Sequence, residues 1–231
     1  MTSYSAPRGT QDFYSSQGRL FHHLESTARS LFQSACFEEI KTPCFESTDL
    51  FLRGIGTESD IVSKEMYTFT DKGNRSLTLR PEGTACVIRS VLEHHLLREN
   101  PIQKLFYIGP FFRYERPQAG RFRQFHQIGA EALGSDSIYS DLEIIELAYR
   151  FFTDLGLNHL SVELNTIGDT DSKQKLSDHI QTTLKPVSDT LCSACQTRLD
   201  SNPLRLLDCK NKTCQHQISK LKVLCGGCLS A

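Results

Sequence analysis

The sequence lacks five features that would assign it to a specialised class of protein. It has no excess charge of either sign, since 26 basic and 27 acidic side chains give a formal net charge of −1. It has no apolar segment near its N-terminus, no window long enough to span a bilayer, and neither internal repeats nor low-complexity stretches. Any surface that binds nucleic acid must therefore be a local patch, and we expect a cytoplasmic protein without a membrane association.

What the sequence does contain is typical of one folded domain with a small addition. Its 231 residues are 39% apolar and 23% charged, enough to bury one substantial core. Helical periodicity predicts four helices, over roughly 16–36, 82–97, 140–155 and 169–184. Ser140 is the expected N-cap of the third of them. Strands are predicted over roughly 37–41, 66–70, 76–79, 104–112 and 160–164. Runs of antiparallel strands beside helices indicate an α+β fold.

A basic hairpin is the most informative segment of the chain. Residues 111–131 indicate two strands joined by a turn at about 116–121. Because side chains alternate between the faces of a strand, Phe111, Arg113 and Glu115 share one face of the first strand. Phe125, Gln127 and Glu131 share one face of the second strand, and pairing of the strands would bring the two sets onto one sheet surface. A face that combines an aromatic ring, an amide, carboxylates and arginine is poorly suited to a core. It is well suited to a flat, anionic ligand.

Each of these side chains suits part of a nucleotide or an amino acid. The planar guanidinium of Arg113 fits a phosphate or a carboxylate, and the ring of Phe125 can stack on a base. Further positive charge comes from Arg116, Arg121 and Arg123. Acceptors for amino groups or a ring N–H are provided by Glu115, Gln127 and Glu131. The alternative is an ordinary exposed hairpin whose arginine and glutamate side chains pair across the strands.

The order of these residues resembles motif 2 of the class II aminoacyl-tRNA synthetases, which is Phe-Arg-x-Glu, a loop, and then Arg-x-x-x-Phe. The longer segment 113–127 resembles histidyl-tRNA synthetase in particular. So do Pro-Arg-Gly-Thr-Gln-Asp at 7–12 and Leu-Arg-Pro-Glu-Gly-Thr at 79–84. A further segment, 202–208, resembles bacterial members of that family at the edge of an inserted domain. The resemblance covers nearly the whole chain and weakens after about Asp208.

The resemblance implies a class II synthetase catalytic core, an antiparallel sheet flanked by helices, over residues 1–170. A Cys-rich segment over 171–231 would begin the insertion domain. The implied activity is that of a histidine–tRNA ligase, which activates histidine with ATP and Mg²⁺ to histidyl-adenylate and transfers it to tRNA(His). The segment from Phe37 to Phe51 would belong to motif 1 and build the interface of a homodimer.

The resemblance also implies a role for each residue at the ATP site. Arg113 is the expected catalytic residue, because it would hold the α-phosphate and the histidine carboxylate through the transition state. Glu115 would recognise the adenine and Phe125 would stack on it. Arg121 and Arg123 would lie towards the β- and γ-phosphates with Mg²⁺.

The implied histidine site uses a different set of residues. The α-amino group would be bound by Glu82, Thr84 and Gln127. Glu131 would accept a hydrogen bond from the imidazole and so select histidine over isosteres. Thr84 could also simply cap the helix that follows it, with Glu82 favouring the N-terminus of that helix. On the loop, Arg116 and Gln118 are expected at the acceptor end of the tRNA.

One departure from the family pattern limits these expectations. Nothing after residue 131 resembles motif 3, the second histidine-specific motif or the anticodon-binding domain. We therefore expect the N-terminal portion of a longer enzyme, weakly active or inactive by itself. Two other functions stay open: a regulatory paralogue that senses histidine beside a phosphoribosyltransferase, and a tRNA-binding module of the same fold. The paralogue would be expected to lose the triphosphate arginines, and here Arg113, Arg121 and Arg123 are all present.

The C-terminal segment holds six of the nine cysteines. They are spaced as Cys192-x₂-Cys195, Cys209-x₄-Cys214 and Cys225-x₂-Cys228. Two Cys-x-x-Cys pairs can share one tetrahedral ion, so Cys192, Cys195, Cys225 and Cys228 are the predicted ligands of a structural Zn²⁺. The alternative is a set of free thiols, since disulfides are rare in a reducing compartment.

Overall fold

A computed structural model describes residues 4–55, 62, 65–116, 118, 120–164 and 168–221. The chain forms two compact units, Met1–Val162 and Glu163–Ala231, whereas the boundary predicted from the sequence falls after residue 170. None of the helices in the described ranges is both long enough and apolar enough to cross a membrane.

The first unit contains a three-stranded sheet in the order β1–β5–β6. The strands β5 (Gln103–Phe112) and β6 (Gln124–Leu133) pair antiparallel along their whole length, and the short β1 (Glu38–Glu39) pairs with β5 in parallel. Helices α1 (Ser15–Ser34) and α5 (Ile138–Asp154) pack on one face. The core on that face includes Ala28, Leu31, Phe32, Phe106, Ile128 and Leu147. Because side chains alternate along a strand, the odd-numbered residues of β5 and β6 point to the opposite face.

A second sheet of the same unit is antiparallel throughout, in the order β2–β4–β3. Its strands are β2 (Phe45–Ser47), β3 (Tyr67–Thr70) and β4 (Ser76–Leu79), so the hairpin predicted from the sequence is confirmed. Helix α2 (Thr48–Ile55) directly follows β2. The two sheets, antiparallel except for the short β1–β5 pair, and their flanking helices confirm the predicted α+β class.

Helix α3 (Thr84–Glu93) and the short α4 (Leu96–Glu99) replace the single helix predicted over 82–97. The break lies at His95, whose φ of +53° is left-handed and interrupts the regular helix. Val87 and Val91 of α3 pack against Leu105 of β5, which lies on the face opposite to α1 and α5. This packing holds the N-terminus of α3 close to the face of the sheet that lies opposite to α1 and α5.

A buried arginine connects the second sheet to β5. Arg80 follows β4 directly and is 6% exposed. Its Nε donates to the carbonyl oxygen of Pro110 at 2.9 Å, and its Nη1 donates to the carbonyl oxygen and Oγ1 of Thr42 at 3.0 and 3.1 Å. The guanidinium lies over the ring of Phe111, 4.5 Å from its centroid. One side chain therefore joins three segments that are distant in sequence.

Two predicted features of the first unit are wrong. The N-cap of α5 is Ser137, whose Oγ accepts from the backbone N–H of Tyr139, so the helix begins earlier than the predicted cap Ser140. Residues 160–164, all of which the structure describes, form no strand. A strand requires a neighbouring strand to satisfy its backbone groups, and no strand among the described residues pairs with this segment.

The second unit is helical in its described part. It contains α6 (Thr170–Leu184), α7 (Ser193–Ser201) and α8 (Lys212–Ile218), joined by short 3₁₀ turns. The predicted start of α6 is confirmed, since the Oδ1 of Asp169 accepts from the backbone N–H of Ser172 at 2.8 Å. The buried core of this unit combines leucines and isoleucine with cysteines: Ile180, Leu184, Leu199, Leu206, Cys195, Cys209 and Cys214.

Candidate active site

The candidate site lies on the face of the β5–β6 hairpin that α1 and α5 leave uncovered. The register places Phe111 opposite Phe125, Gly109 opposite Gln127, Tyr107 opposite Gly129 and Leu105 opposite Glu131. Directly opposed residues share a face, so the predicted stacking ring, amide and carboxylate follow one another along a single surface. Part of the predicted surface is instead core, because Phe111 is 1% exposed.

At one end of this surface a carboxylate pair meets the N-terminus of α3. The carboxylate of Glu82 accepts from the backbone N–H groups of Thr84 and Ala85 at 2.7 and 2.9 Å. The helix is therefore capped by Glu82 and not by Thr84, whose hydroxyl donates to Oε1 of Glu131 at 2.7 Å. Three of the four predicted histidine-binding residues thus form one hydrogen-bonded group.

This group is partly removed from water. Burial raises the pKa of Glu131, the negative charge of Glu82 adds to that effect, and the hydrogen bond from Thr84 opposes it. Burial and the same two carboxylates raise the pKa of Tyr107 to about 12. The fourth predicted residue, Gln127, has a buried Oε1 without a hydrogen-bond partner among the described residues. An unpaired acceptor and two close carboxylates favour a ligand that brings N–H donors and positive charge.

The ring of Tyr107 is held between two glycines. A Cβ at Gly83 or at Gly129 would lie 2.2 Å from Cζ of Tyr107, which is closer than two non-bonded carbon atoms can approach. The absence of side chains at both positions is therefore what allows the ring to lie beside Glu131.

We predict that Gly129→Ala destabilises the first unit by about 1–3 kcal/mol, because the added methyl group overpacks against a ring that cannot move towards Gly83. Denaturant unfolding followed by circular dichroism measures the loss. The matched control is Gly18→Ala in α1, where the new Cβ would make an ordinary contact 3.5 Å from the carbonyl oxygen of Phe13. Equal stability of the two variants would contradict the packing argument.

At the other end of the surface, Arg113 lies beside Phe125. The backbone N–H of Arg113 donates to the carbonyl oxygen of Arg123, which extends the pairing beyond the ends of the strands. Its Nε donates to the carbonyl oxygen of Pro81 at 2.9 Å, and its guanidinium carbon lies 5.2 Å from the centroid of the Phe125 ring. No carboxylate among the described residues pairs with Arg113, so its terminal nitrogens can serve an anionic ligand.

Two other arginines of the hairpin, Arg121 and Arg123, contact residues of the loop itself. Nη1 of Arg121 lies 3.1 Å from Oε2 of Glu115, and the guanidinium of Arg123 lies over the ring of Tyr114 at 4.1 Å. The Arg121 side chain is 56% exposed, so this ion pair contributes little and can be exchanged for phosphate oxygens. The interpretation of the hairpin as paired arginine and glutamate therefore holds for Arg121 and Glu115, but not for Arg113.

The predicted tRNA-contacting residues lie at the tip of the loop. Arg116 and Gln118 are exposed, and Gln118 forms an isolated bridge with Arg121. The base of the loop is fixed from another part of the chain. The carbonyl oxygen of Gly9 accepts from the backbone N–H groups of Arg123 and Gln124 at 2.7 and 3.2 Å. This contact explains why the segment 7–12 belongs to the same pattern as the hairpin.

Sequence reasoning missed part of the wall of the site. A cavity of about 510 Å³ lies between α2 and α3, which is a volume typical of small-ligand sites. It is lined by Leu50, Arg53, Gly54, Glu82, Thr84, Ala85 and Ile88. Neither Arg53 nor Tyr107 was singled out, because each occurs in an amphipathic or apolar run that also fits an ordinary core. The strand register pairs Tyr107 with Gly129, whereas its contact with Gly83 follows only from the packing of the segment before α3.

A second group of functional residue types lies in the other unit. The sulfur atoms of Cys192, Cys195, Cys209 and Cys214 all lie within 4.8 Å of one another. The predicted pair Cys192 and Cys195 is therefore joined by Cys209 and Cys214, and the predicted partners Cys225 and Cys228 lie outside the described residues.

The β5–β6 hairpin that carries Arg113, together with the capped start of α3, indicates the class of fold. The structure is similar to that of apo histidyl-tRNA synthetase from S. aureus, with a TM-score of 0.71 and 36% identity over 95% of this chain and 55% of that chain. A Bacillus halodurans protein described as an ATP phosphoribosyltransferase regulatory subunit/histidyl-tRNA synthetase shares the fold at 18% identity, with a TM-score of 0.63 over 96% of this chain and 65% of that chain. The architecture is that of a class II aminoacyl-tRNA synthetase core.

Sequence comparison then identifies the family. The family model for histidyl-tRNA synthetase matches residues 9–223. Histidine–tRNA ligases from Halothermothrix orenii and Staphylococcus epidermidis are 50% and 49% identical over 96% and 88% of this chain. The chain therefore belongs to the histidyl-tRNA synthetase family, which confirms the resemblance seen in the motifs. It spans about half the length of these relatives, 54% and 48% respectively.

Proposed function

We propose that this chain supplies the histidine- and ATP-binding core of a cytoplasmic histidine–tRNA ligase. The observation that carries the proposal is the group formed by Glu82, Thr84 and Glu131, beside the unpaired acceptor of Gln127. Such a pocket offers acceptors for both ends of a histidine molecule, which carries an α-ammonium group and a ring N–H.

The proposed recognition of histidine separates these two ends. The α-ammonium group would bind near Glu82 and Gln127, where negative charge and an unused acceptor are available. The imidazole would donate its N–H to Glu131, whose partial burial strengthens a charge-assisted hydrogen bond. An amino acid without a ring N–H would leave that carboxylate with the Thr84 hydroxyl but without a donor from the ligand, which is the basis of the proposed specificity.

The proposed reaction is an in-line displacement at phosphorus. A histidine carboxylate oxygen forms a bond to the α-phosphorus of ATP, and the bond from that phosphorus to the bridging oxygen breaks to release pyrophosphate. Arg113 would hold the two reacting groups together and offset the charge that builds between them. Phe125 would stack on the adenine. Mg²⁺, bound with ATP as substrate, would neutralise the β- and γ-phosphates.

The loop residues complete the proposal. Arg121 and Arg123 would turn from their present contacts towards the triphosphate, and Glu115 would then be released to accept from the adenine amino group. Arg116 and Gln118, exposed at the tip, are proposed to meet the acceptor end of tRNA(His). The exchange of an exposed ion pair for phosphate contacts requires little free energy.

Calorimetric titration of this chain with histidine and with a panel of other amino acids tests the proposal. Saturable binding of histidine, with no heat from glutamine or phenylalanine, would support it. Preference for another amino acid would overturn the specificity. Binding of histidine without any binding of ATP would favour the histidine-sensing regulatory paralogue over a ligase.

We also propose that the protein is a homodimer through the second sheet. The rings of Phe45 and Phe69 lie on the two outer strands of this sheet, β2 and β3, on either side of β4. The ring centroids are 6.4 Å apart, the two residues are 50% and 43% exposed, and Phe45 belongs to the motif 1 segment. Adjacent exposed rings are typical of the centre of a protein interface, where they are buried by the partner.

We predict that Phe45→Asp weakens self-association at least tenfold, because a charged side chain would replace a ring that the partner subunit buries in the proposed dimer. Light scattering across a dilution series measures the molecular mass. Tyr139→Asp is the control, since Tyr139 is 78% exposed on α5 and should not affect association. A parent chain that is monomeric at high concentration, or two variants that behave alike, would refute the proposed interface.

A further inference from the structure

Four cysteines from two separate segments come together in the second unit. Cys192 and Cys195 flank the start of α7, and Cys209 and Cys214 flank the start of α8. Cys195, Cys209 and Cys214 are buried and Cys192 is partly buried. The cluster lies within the apolar core of this unit, beside Leu191 and Leu206. It is independent of the proposed ligase site, which lies in the other unit.

The distances between the sulfur atoms fit a shared metal ion and not a disulfide. All four lie within 4.8 Å of one another, and Sγ of Cys192 is 4.0 Å from Sγ of Cys209. A disulfide requires about 2.05 Å between sulfur atoms. In a tetrahedral site with Zn–S bonds of about 2.3 Å, the sulfur atoms are about 3.8 Å apart. The cluster therefore needs only a small contraction to surround one ion.

The sequence spacing fits the same interpretation. Cys192-x₂-Cys195 and Cys209-x₄-Cys214 both fall within the Cys-x₂₋₄-Cys spacing of structural zinc sites. The pair at 225 and 228 is separated from Cys195 by a much longer segment than the pair at 209 and 214. Cys209 and Cys214 complete a set of four zinc ligands with Cys192 and Cys195, and the structure places all four sulfur atoms together.

Backbone N–H groups are arranged around the sulfur atoms. The N–H of Cys192 donates to Sγ of Cys214 at 3.2 Å, and the N–H of Asn211 donates to Sγ of Cys209 at 3.5 Å. The side chain of Asn211 is itself fixed, because its Oδ1 accepts from the N–H of Thr213 at 2.9 Å. Such donors orient the ligands of a metal site and spread the charge of metal-bound thiolates.

We propose that Cys192, Cys195, Cys209 and Cys214 bind one structural Zn²⁺. Four thiolates form a closed, soft ligand set, which selects zinc over Mg²⁺ and leaves no open position for catalysis. The small helical unit has a limited apolar core, and a metal ion that joins α7 to α8 would supply the stability that so small a core lacks.

Metal analysis of the whole chain, produced with zinc and purified under reducing conditions, tests this proposal. We expect one zinc per chain in the parent. Cys209→Ser and Cys214→Ser should each lose most of the bound zinc. Cys44→Ser, which changes an exposed cysteine of the other unit, should retain it. The double variant Cys225→Ser/Cys228→Ser should also retain it, which separates the two possible ligand pairs.

A second measurement on the parent avoids variants that fail to fold. Replacement of zinc by Co²⁺ should give the visible absorption of a tetrahedral tetrathiolate complex. Chelation of the metal should increase amide hydrogen exchange in α6–α8 while peptides from β5 and β6 exchange as before. A parent chain without stoichiometric zinc, an octahedral cobalt spectrum, or zinc lost from the 225/228 variant but kept by the 209 and 214 variants would overturn the proposal.

Discussion

Glu131→Gln should weaken histidine binding roughly five- to tenfold and should at the same time stabilise the folded chain at neutral pH. The binding loss follows because a hydrogen bond to a charged group contributes about 1.5–3 kcal/mol, and the amide retains only its neutral part. The stability gain follows because glutamine keeps the contact with Thr84 but removes a partly buried charge. Opposite effects on binding and stability are expected of a ligand-binding carboxylate and not of a structural one.

The pH dependence gives the sign of the stability effect. Burial raises the pKa of Glu131 above its ordinary value of 4.5. A folded pKa above the unfolded one means that this carboxyl group contributes stability while it is protonated, below about pH 4.5. That contribution is lost as the pH rises through the raised pKa. The variant has no such loss, so its advantage in the free energy of unfolding should be absent in acid and should grow across this interval.

Calorimetry with histidine and unfolding at several pH values measure both effects. Glu143→Gln is the matched control, because Glu143 pairs with Lys104 at 2.7 Å and extends from α5 on the covered side of the sheet. It should leave histidine binding unchanged. If both variants bind histidine as tightly as the parent, Glu131 has no role in recognition. If Glu131→Gln weakens binding only because it unfolds the protein, the unfolding curves will show a lower free energy of unfolding for the variant than for the parent.

The fold could be predicted from the sequence where local chemistry decides it. Asp169 marked the start of α6, and the hairpin of β3 and β4 followed from turn residues between two short strands. Where two local patterns competed, the choice needed the structure. The capping-box spacing favoured Ser140, but the hydroxyl that accepts a backbone N–H at the start of α5 is that of Ser137. The added residues Ile138 and Tyr139 are exposed, so burial does not account for the earlier start.

The candidate site was predictable in its residue types and less so in its contacts. Alternation along β6 placed Phe125, Gln127 and Glu131 on one face, as the register requires. The capping of α3 by Glu82 is a local contact, and the sequence already placed Glu82 at the N-terminus of that helix. The hydrogen bond from the Thr84 hydroxyl to Glu131 depends instead on how α3 packs against the β5–β6 hairpin. Such contacts between segments distant in sequence leave no periodic pattern, and only the order of motifs pointed to them.

Arg80 is a second residue whose role the sequence does not reveal. It lies in the segment 79–84 that resembles the family, but its contribution to stability follows only from its contacts in the structure. Its guanidinium donates to Pro110 and Thr42 and covers the ring of Phe111. Its backbone carbonyl accepts from the N–H of Phe112 at 3.0 Å. The next carbonyl along the chain, that of Pro81, holds Arg113. A buried residue therefore fixes the segment that orients the proposed catalytic arginine.

Arg80→Ala should destabilise the first unit by about 2–4 kcal/mol, because it leaves buried carbonyl groups unpaired and empties the space over Phe111. Arg80→Lys should recover only part of this, since an ammonium group cannot reproduce the planar fork. Hydrogen exchange of peptides from β4 and β5 reports the loss in the correct unit. Arg75→Ala is the control, because Arg75 is 78% exposed and its pair with Asp71 contributes under about 1 kcal/mol. If lysine restored full protection, positive charge alone would be sufficient, and the hydrogen bonds to Pro110 and Thr42 would not be what connects the second sheet to β5.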